Sequence, residues 1–251
     1  MTPKYSVCIT HYNNVMTVES SLTSILDQID DRFEVVVVDQ GSTDGSLEVL
    51  ERLAQERGFQ LHHQDVRNRG LGRQLAFTMS KGECIIAQID MDDIYQPVIR
   101  QLVTLYESVL TGMVLRVVNS QKRGAVTVAP RSFLEDVGGW PDLDYVEDRW
   151  IWGRAVERGI YRWSRFPLYS KITESREKRG FLSRAIRVYG IQRDRIRIGA
   201  SPHLSISTWP VYPFSYIAAR KAQPIGRSVF RDFWPDDPKY CVDELTQPMR
   251  A

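Results

Sequence analysis

Apolar runs of strand type alternate with amphipathic helical segments through the first hundred residues, and this alternation limits the fold most strongly. The run FEVVVVD, residues 33–39, is almost entirely β-branched and apolar, as is typical of a strand buried on both faces of a parallel sheet. The segment LEVLERLAQERG that follows has apolar residues at helical spacing and ends at Gly58. The sequence therefore predicts an α/β fold with a mostly parallel central sheet and helices on both faces. The strand-type runs are YSVCIT, FEVVVVD, FQLHHQDV and ECIIAQID.

Polar and acidic residues follow three of these runs, at residues 11–14, 39–44 and 90–93. In open α/β sheets, ligands bind beyond the carboxyl ends of the strands, so these residues are candidates for a binding site. Asp90 and Asp92 point the same way in extended backbone, and a divalent cation would relieve their repulsion. Asp93 could instead cap the next helix, with Pro97 as an early helical residue, and Asp39 alone could simply shape a turn.

Five segments, in this order and at this spacing, resemble glycosyltransferase family 2. They cover about residues 4–165 and read SVCITHYN, VVVVDQGSTDGS, NRGLGRQLAF, IAQIDMDDIYQP and GGWPDLDYVEDRWIWGRA. The resemblance implies a GT-A (nucleotide-diphospho-sugar transferase) fold. It also implies an inverting, metal-dependent transfer of a sugar from a nucleotide-sugar donor, UDP-linked by expectation, to a hydroxyl acceptor. The enzyme class would be that of the hexosyltransferase-type glycosyltransferases.

The resemblance assigns most of the polar strand-end residues to the nucleotide. Asp39 is similar to the acidic residue that reads the base, and Asp90 to the carboxylate on the ribose side. Asp92 matches the metal-binding end of the D-x-D motif, with Asp90 as a further candidate ligand and Mn²⁺ or Mg²⁺ as the implied cofactor. The other expected nucleotide-binding residues are His11, Tyr12, Asn13, Asn68, Gly70 and Arg73.

The chain departs from the family pattern at several positions. A Thr or another small polar residue usually stands where this chain has His11, and an Asp or Asn where it has Gln40. His203 lies where some relatives place a late metal ligand, although no motif surrounds it. The Q-x-x-R-W element of processive relatives is not found, which disfavours a polymerising synthase.

The segment YVEDRW carries the expected catalytic group. By resemblance, Asp148 matches the general base that takes the proton of the acceptor hydroxyl, with Glu147 in support. The two acids could instead merely favour the first turn of a helix. Gly139 and Trp140 would lie beneath the acceptor, where Trp140 could stack on a sugar or lipid, and a buried core position for this Trp is the alternative.

Two rival functions remain open from the sequence. A sugar-phosphate nucleotidyltransferase would usually carry a Gly-rich signature after the first strand, and HYNNVM has none. A non-catalytic nucleotide- or sugar-binding module would not need Asp39, Asp90, Asp92 and Asp148 together. The sequence does not identify the sugar or the acceptor, and a glycan or a lipid-linked sugar is expected as the latter.

The balance of charge changes at about residue 170. By the resemblance, residues 1–170 are expected to form the GT-A catalytic domain, and residues 171–251 a basic, aromatic helical extension. Within the first, residues 1–97 would hold the nucleotide sugar and 98–170 the acceptor. Residues 176–199 contain eight Lys and Arg against two acids, beside an apolar helical face, and aromatic residues follow up to 216. This pattern is typical of a helix on an anionic membrane surface, and the alternatives are packing on the catalytic core or an oligomer interface.

The expected location is the cytoplasm, with peripheral attachment to the cytoplasmic face of the membrane. The three cysteines form no C-x-x-C, and the N-terminal residues have no signal-peptide pattern. A nucleic-acid partner is not expected.

Overall fold

The computed structural model describes residues 3–119, 125–172, 181–200, 217, 225 and 235–242. Strands and helices alternate as the sequence predicts, and two further strands, β8 and β9, follow α6. The strands are β1 Tyr5–His11, β2 Phe33–Asp39, β3 Gln60–His63, β4 Cys84–Ile89, β5 Asp93–Tyr95, β6 Val114–Val118, β7 Ala125–Pro130, β8 Tyr161–Arg165 and β9 Tyr169–Ile172. The helices are α1 Val18–Leu26, α2 Ser46–Arg57, α3 Arg69–Met79, α4 Ile99–Val109, α5 Arg131–Asp136, α6 Glu147–Glu157 and α7 Phe181–Arg197.

Seven strands form the central sheet in the order β3-β2-β1-β4-β7-β6-β8. The first four are parallel, β7 runs antiparallel to both β4 and β6, and β6 is parallel to β8. Strands β5 and β9 pair separately as a two-stranded antiparallel sheet. The expected fold class, a mostly parallel sheet with helices on both faces, is confirmed.

Two apolar clusters cover the two faces of this sheet, and both follow from the alternation of side chains along each strand. Val35 and Val37 pack with α1, α2 and α4, whereas Val36 and Val38 pack with α3, α5 and α6. The near-continuous apolar run of β2 is therefore explained, because both of its faces are buried. Cys8 and Cys84 are buried free thiols in these layers, and Cys241 is half-buried.

The carboxyl ends of the first strands align at one edge. His11 is the register partner of Asp39, and Asp39 is the partner of His63. Strand β4 ends at Ile89 beside β1, so Asp90 follows at the same edge. The sequence-based grouping of these strand ends is thus reproduced by the register.

The expectation for Asp93 was wrong. Asp93 begins β5, which pairs with β9, and α4 begins only at Ile99 with Val98 in the capping position. Five residues separate Asp93 from the first turn of α4, so its carboxylate is too remote in the chain to cap that helix. Pro97 likewise precedes the helix.

Helix α7, in the basic extension, packs on the catalytic domain. The buried carboxylate of Asp194 accepts hydrogen bonds from the backbone N–H groups of Asp144 and Tyr145, at 3.0 and 2.9 Å. Gly190 lies against the Tyr145 ring, and Arg197 donates to the carbonyl of Asp142 at 2.6 Å. The core-packing alternative therefore holds for this helix. Within the described part of the chain, no helix is long and apolar enough to cross a bilayer.

Candidate active site

Three carboxylates meet at the end of β4. Asp90, Asp92 and Asp93 each offer an oxygen, and these oxygens lie within 4.8 Å of one another. Asp93 is fully buried and the other two are half-buried. Since grouped carboxylates repel one another and hard divalent cations prefer oxygen ligands, the donor set fits Mg²⁺ or Mn²⁺. The structure thus brings Asp93 into the cluster from which the sequence reasoning had removed it.

Hydrogen bonds with neighbouring hydroxyl groups fix the backbone that carries these acids. The Tyr95 hydroxyl accepts from the Asp90 N–H at 2.9 Å and donates to the Asp90 carbonyl at 3.0 Å. Met91, the middle residue of the D-x-D motif, is buried, and its carbonyl accepts from the Thr17 hydroxyl at 2.9 Å. The alternation of exposed acid and buried apolar residue therefore anchors Met91 in the core and leaves Asp90 and Asp92 at the sheet edge.

The expected base-binding residues form a connected turn beside the cluster. Asp39 accepts from the N–H groups of Gly41 and Ser42, at 3.1 and 2.9 Å, and from the Ser42 hydroxyl at 2.5 Å. Asn13 donates its N–H to the same hydroxyl and accepts from Thr43, at 2.9 and 2.8 Å. Asp39 thus shapes the turn, the structural role that the sequence allowed.

His11 and Tyr12 border this turn. His11 is buried, and burial lowers its pKa, so the imidazole is neutral at physiological pH. The guanidinium of Arg67 stacks over the Tyr12 ring, 4.4 Å from its centroid. Contacts of either residue with a nucleotide base remain a prediction.

Asn68 and Gly70 join α3 to the loop before α6. The Asn68 side chain caps α3 by accepting from the Leu71 N–H at 3.0 Å, and it donates to Asp142 at 2.7 Å. Gly70 lies so close to the carbonyls of Pro141 and Leu143 that a side chain there would clash with backbone. Gln40, where the family has an acid or Asn, donates to the Asn68 carbonyl at 2.5 Å and so ties β2 to the same loop.

A pocket of about 460 Å³ lies between the acidic cluster and the start of α6. Its lining includes Asp90 from the cluster and Asp148 from α6, so the expected nucleotide side and the expected base share one cavity. Four arginines and three acids line it, so its wall is strongly polar. The lining residues are Arg69, Arg73, Gln88, Asp90, Ala125, Tyr145, Val146, Glu147, Asp148, Arg149, Trp152, Ile191 and Arg195.

Glu147 forms a buried ion pair with Arg73 across the pocket floor. The pKa of Glu147 is raised to about 7, chiefly by burial and also by the charge of Asp148, although the charges of Arg73 and Arg69 lower it. The contact links α3 to α6 over 74 positions of sequence. Arg73, expected to cover the nucleotide, therefore also fixes the first turn of α6.

The backbone before Glu147 is strained. Val146 has φ 58°, a left-handed conformation that a β-branched residue rarely adopts and that costs roughly 1–3 kcal/mol. This residue occupies the capping position of α6, so its conformation turns the chain into the helix and sets the direction of the two acids. The half-buried Asp148 carboxylate accepts from the Arg149 N–H at 2.7 Å.

Replacing Glu147 by Gln should flatten the pH dependence of stability between about pH 5 and 8. The folded protein holds a proton on Glu147 up to a pKa of about 7, against 4.5 for an ordinary Glu. The stability from this group is therefore complete below about pH 4.5 and is lost as the pH rises through 7, a change on the order of 3 kcal/mol. Urea unfolding at several pH values, in the presence of a chelator, measures the slope for both proteins.

The exposed Glu56, replaced by Gln, is the matched control for that experiment and should keep the wild-type slope. A Glu147→Gln protein whose free energy of unfolding follows pH as the wild type does would show that Glu147 titrates at its ordinary pKa.

The two residues expected beneath the acceptor lie elsewhere. Trp140 is buried in the core, with its ring edge-on to Phe77 at 6.0 Å between centroids, so it cannot stack on a ligand. Gly139 packs on Gln74 of α3, whose Oε1 accepts from the Trp140 N–H at 2.8 Å. Neither residue lines the pocket, and the core alternative for Trp140 is correct. His203 lies outside the described residues.

Several pocket residues were not found from the sequence. Arg195 and Ile191 come from α7, beyond the segment that the resemblance covers, and Tyr145 is held by the Asp194 contact. Gln88 lies inside an apolar strand-type run, where a single polar residue was the one visible signal. From the sequence alone, Trp152 cannot be distinguished from a core residue of an amphipathic helix.

Comparison with known proteins identifies the family and agrees with this fold. The sequence model described as Glycosyl transferase family 2 matches residues 6–167. A glycosyltransferase of Nostoc sp. is 32% identical over 96 residues, which are 38% of this chain and 30% of that protein. EpsH of Bacillus subtilis, named as a glycosyltransferase, is 32% identical over 97 residues, 38% of this chain and 28% of that protein. The aligned parts thus span less than a third of these relatives.

Solved structures share the fold at lower identity. TarS of S. aureus has a TM-score of 0.58 and 18% identity, covering 88% of this chain and 44% of that one. A mannosyltransferase from Pyrobaculum calidifontis, in complex with GDP-Man and Mn²⁺, has a TM-score of 0.58 and 20% identity, covering 88% of this chain and 74% of that one. The fold is therefore GT-A, the class of nucleotide-sugar transferases. The chain belongs to glycosyltransferase family 2.

Proposed function

We propose that this protein is a metal-dependent, inverting glycosyltransferase that moves a sugar from a UDP-linked donor to a hydroxyl acceptor. The carrying observation is that Asp90 and Asp148 line the same pocket, with the cluster of three carboxylates at one end. On this proposal, the leaving diphosphate lies at the cluster, and Asp148 acts as the base on the other side of the transferred sugar.

The proposed reaction is a single displacement. The acceptor hydroxyl attacks the anomeric carbon from the side opposite the nucleoside diphosphate, a new carbon–oxygen bond forms, and the bond to the diphosphate breaks with its electron pair leaving on the phosphate oxygen. Asp148 takes the proton of the hydroxyl. Glu147 and Arg73 position Asp148 by fixing the first turn of α6. A divalent cation held by Asp90, Asp92 and Asp93 would stabilise the negative charge of the diphosphate.

Complexes of the structural neighbours support a nucleotide-sugar donor. TarS has been solved with UDP-GlcNAc, and a mycobacterial glucosyl-3-phosphoglycerate synthase with Mn²⁺, UDP-glucose and phosphoglyceric acid. For this chain a uridine nucleotide is proposed, and a glycan or lipid-linked sugar as the acceptor. A non-catalytic binding module is the second candidate, and it would bind nucleotide without turning it over.

A panel of nucleotide sugars tests the function. The protein is incubated with UDP-glucose, UDP-galactose, UDP-GlcNAc and GDP-mannose in the presence of Mn²⁺, and slow hydrolysis is read as free UDP or GDP. Release from at least one donor, abolished by a chelator, is expected. Metal-dependent binding of UDP with no release from any donor, even with sugar acceptors added, would favour the binding module.

We also propose that the protein is cytoplasmic and attaches peripherally to an anionic membrane through the basic extension. The supporting observation is the apolar pair Leu182 and Ile186, which lie one turn apart on α7 with exposed fractions of 71% and 61%. Exposed Arg187 adds positive charge beside them. An apolar strip flanked by basic residues is favourable at the interface of an anionic bilayer.

Replacing Leu182 and Ile186 together by Ser should abolish flotation with phosphatidylglycerol vesicles at low salt, because the apolar contact with the acyl boundary is lost. Val109, an exposed apolar residue of α4, provides the control, and its Ser variant should float as the wild type does. Wild-type protein that stays at the bottom of the gradient would disprove the attachment.

A further inference from the structure

Gln88 occupies a bulge in the central strand β4. Its φ of 68° is left-handed, and the register between β1 and β4 shifts between Val7 and Ile9 at this point. Ile86 and Ile89 both belong to the apolar cluster that packs with α1, α2 and α4. They are three residues apart, and regular alternation along a strand would place them on opposite faces of the sheet. The extra residue in β4 therefore directs the Gln88 side chain away from this apolar cluster and toward α6. Bulges commonly redirect a side chain in this way next to a functional site.

A chain of hydrogen bonds fixes the orientation of the Gln88 amide. The indole Nε1–H of Trp152 can only donate, and it donates to the Thr127 hydroxyl oxygen at 2.9 Å. The Thr127 hydroxyl then directs its own hydrogen to Gln88 Oε1, at 2.6 Å. The oxygen of the amide is thereby assigned by chemistry, and the amide nitrogen must lie on the other side.

That nitrogen is a buried donor with no bonding partner in the part of the chain that the structure describes. Gln88 is 4% exposed and lines the pocket together with Asp90 and Asp148. A buried amide N–H without a partner is unfavourable, typically by an amount comparable to a lost hydrogen bond. Its position is therefore explained if a bound molecule supplies the acceptor.

We propose that Gln88 Nε2 donates a hydrogen bond to a hydroxyl oxygen of the transferred sugar and so determines which sugar is accepted. The inference rests on the proposed function, because the sugar must lie between the diphosphate at the acidic cluster and the base Asp148, and Gln88 is on the wall of that space. A neutral amide can form a hydrogen bond with a neutral hydroxyl, and it has no net charge with which to attract the diphosphate. Sites that pair with a substrate hydroxyl discriminate strongly against analogues that place it elsewhere.

The test compares sugar recognition with nucleotide recognition in three variants. Gln88→Leu removes the donor, Gln88→Glu replaces it by an acceptor, and Thr127→Val removes the bond that orients the amide. For each, kcat/KM is measured with the best donor of the panel and with its epimer at the sugar, and Kd is measured for the nucleoside diphosphate alone. Gln55 is exposed on α2, and the variant Gln55→Leu is the control.

The expected result is a roughly 10- to 100-fold loss in kcat/KM for the preferred donor in Gln88→Leu and Gln88→Glu, with less discrimination against the epimer. The affinity for the nucleoside diphosphate should stay within about threefold of the wild type. Thr127→Val should show a smaller loss in the same direction. Equal losses for donor and nucleoside diphosphate, or unchanged donor preference in Gln88→Leu, would overturn the inference. Wild-type protein without turnover on any donor would instead count against the proposed function.

Discussion

Replacing Asp148 by Asn should reduce sugar transfer by about 10²- to 10⁴-fold, while binding of the nucleotide stays close to that of the wild type. The amide keeps the size of the carboxylate and cannot take the proton of the attacking hydroxyl. In the proposed reaction Asp148 acts on the acceptor hydroxyl, whereas the three clustered carboxylates would meet the diphosphate. The effect should therefore fall on kcat rather than on KM for the donor.

Initial rates with the active donor, together with calorimetric binding of UDP, measure both quantities. Asp136 is exposed on α5 and does not line the pocket, so Asp136→Asn is the matched control. An Asp148→Asn protein that retains its rate would show that another group, or water, takes the proton.

Replacing Asp92 by Asn should remove most of the metal-dependent part of UDP affinity, a loss on the order of 100-fold in the presence of Mn²⁺. The carboxylate belongs to a cluster whose oxygens lie within 4.8 Å of one another. On the proposed function, the charge of this cluster would attract the cation that neutralises the diphosphate. Without metal, the variant and the wild type should bind UDP equally weakly. Calorimetry with and without Mn²⁺ separates the two contributions.

Asp93→Asn is informative in the same assay, because the structure places its carboxylate with the other two. It should also lower the metal-dependent affinity, whereas the exposed Asp65, replaced by Asn, should have no effect. Full metal dependence in Asp92→Asn would assign the cation to other residues.

The sheet and its ligand edge could be predicted from the sequence because their signals are local. Buried parallel strands read as apolar runs, and polar residues mark the point where each run ends. The family motifs then gave the positions of Asp90, Asp92 and Asp148. The fold class followed without knowledge of strand order, which arises from contacts between distant segments.

Other features of the site depend on tertiary contacts and could not be predicted. The pairing of Glu147 with Arg73 joins helices that are far apart in the chain, and no periodicity encodes it. The bulge at Gln88 moves one side chain to the opposite face, against the alternation on which strand prediction depends. Asp93 was misassigned because a short strand, β5, separates it from the helix that it was expected to cap.

The acceptor side illustrates a further limit. Glycine and tryptophan in a loop before a helix suggested a platform for the acceptor, yet Trp140 fills the core and Gly139 packs on Gln74. A tryptophan in a loop has the same sequence signature in both roles. The wall of the pocket is formed partly by α7, whose residues the motifs do not reach.

A crystal of the protein grown with UDP and Mn²⁺, with anomalous data collected for manganese, tests the proposed active site most directly. The expected result is one manganese peak bound by oxygens of Asp90, Asp92 and Asp93, with the diphosphate of UDP on the metal and the terminal phosphate facing the pocket that Asp148 lines. A manganese peak away from these three carboxylates, or UDP bound at another part of the fold, would contradict it.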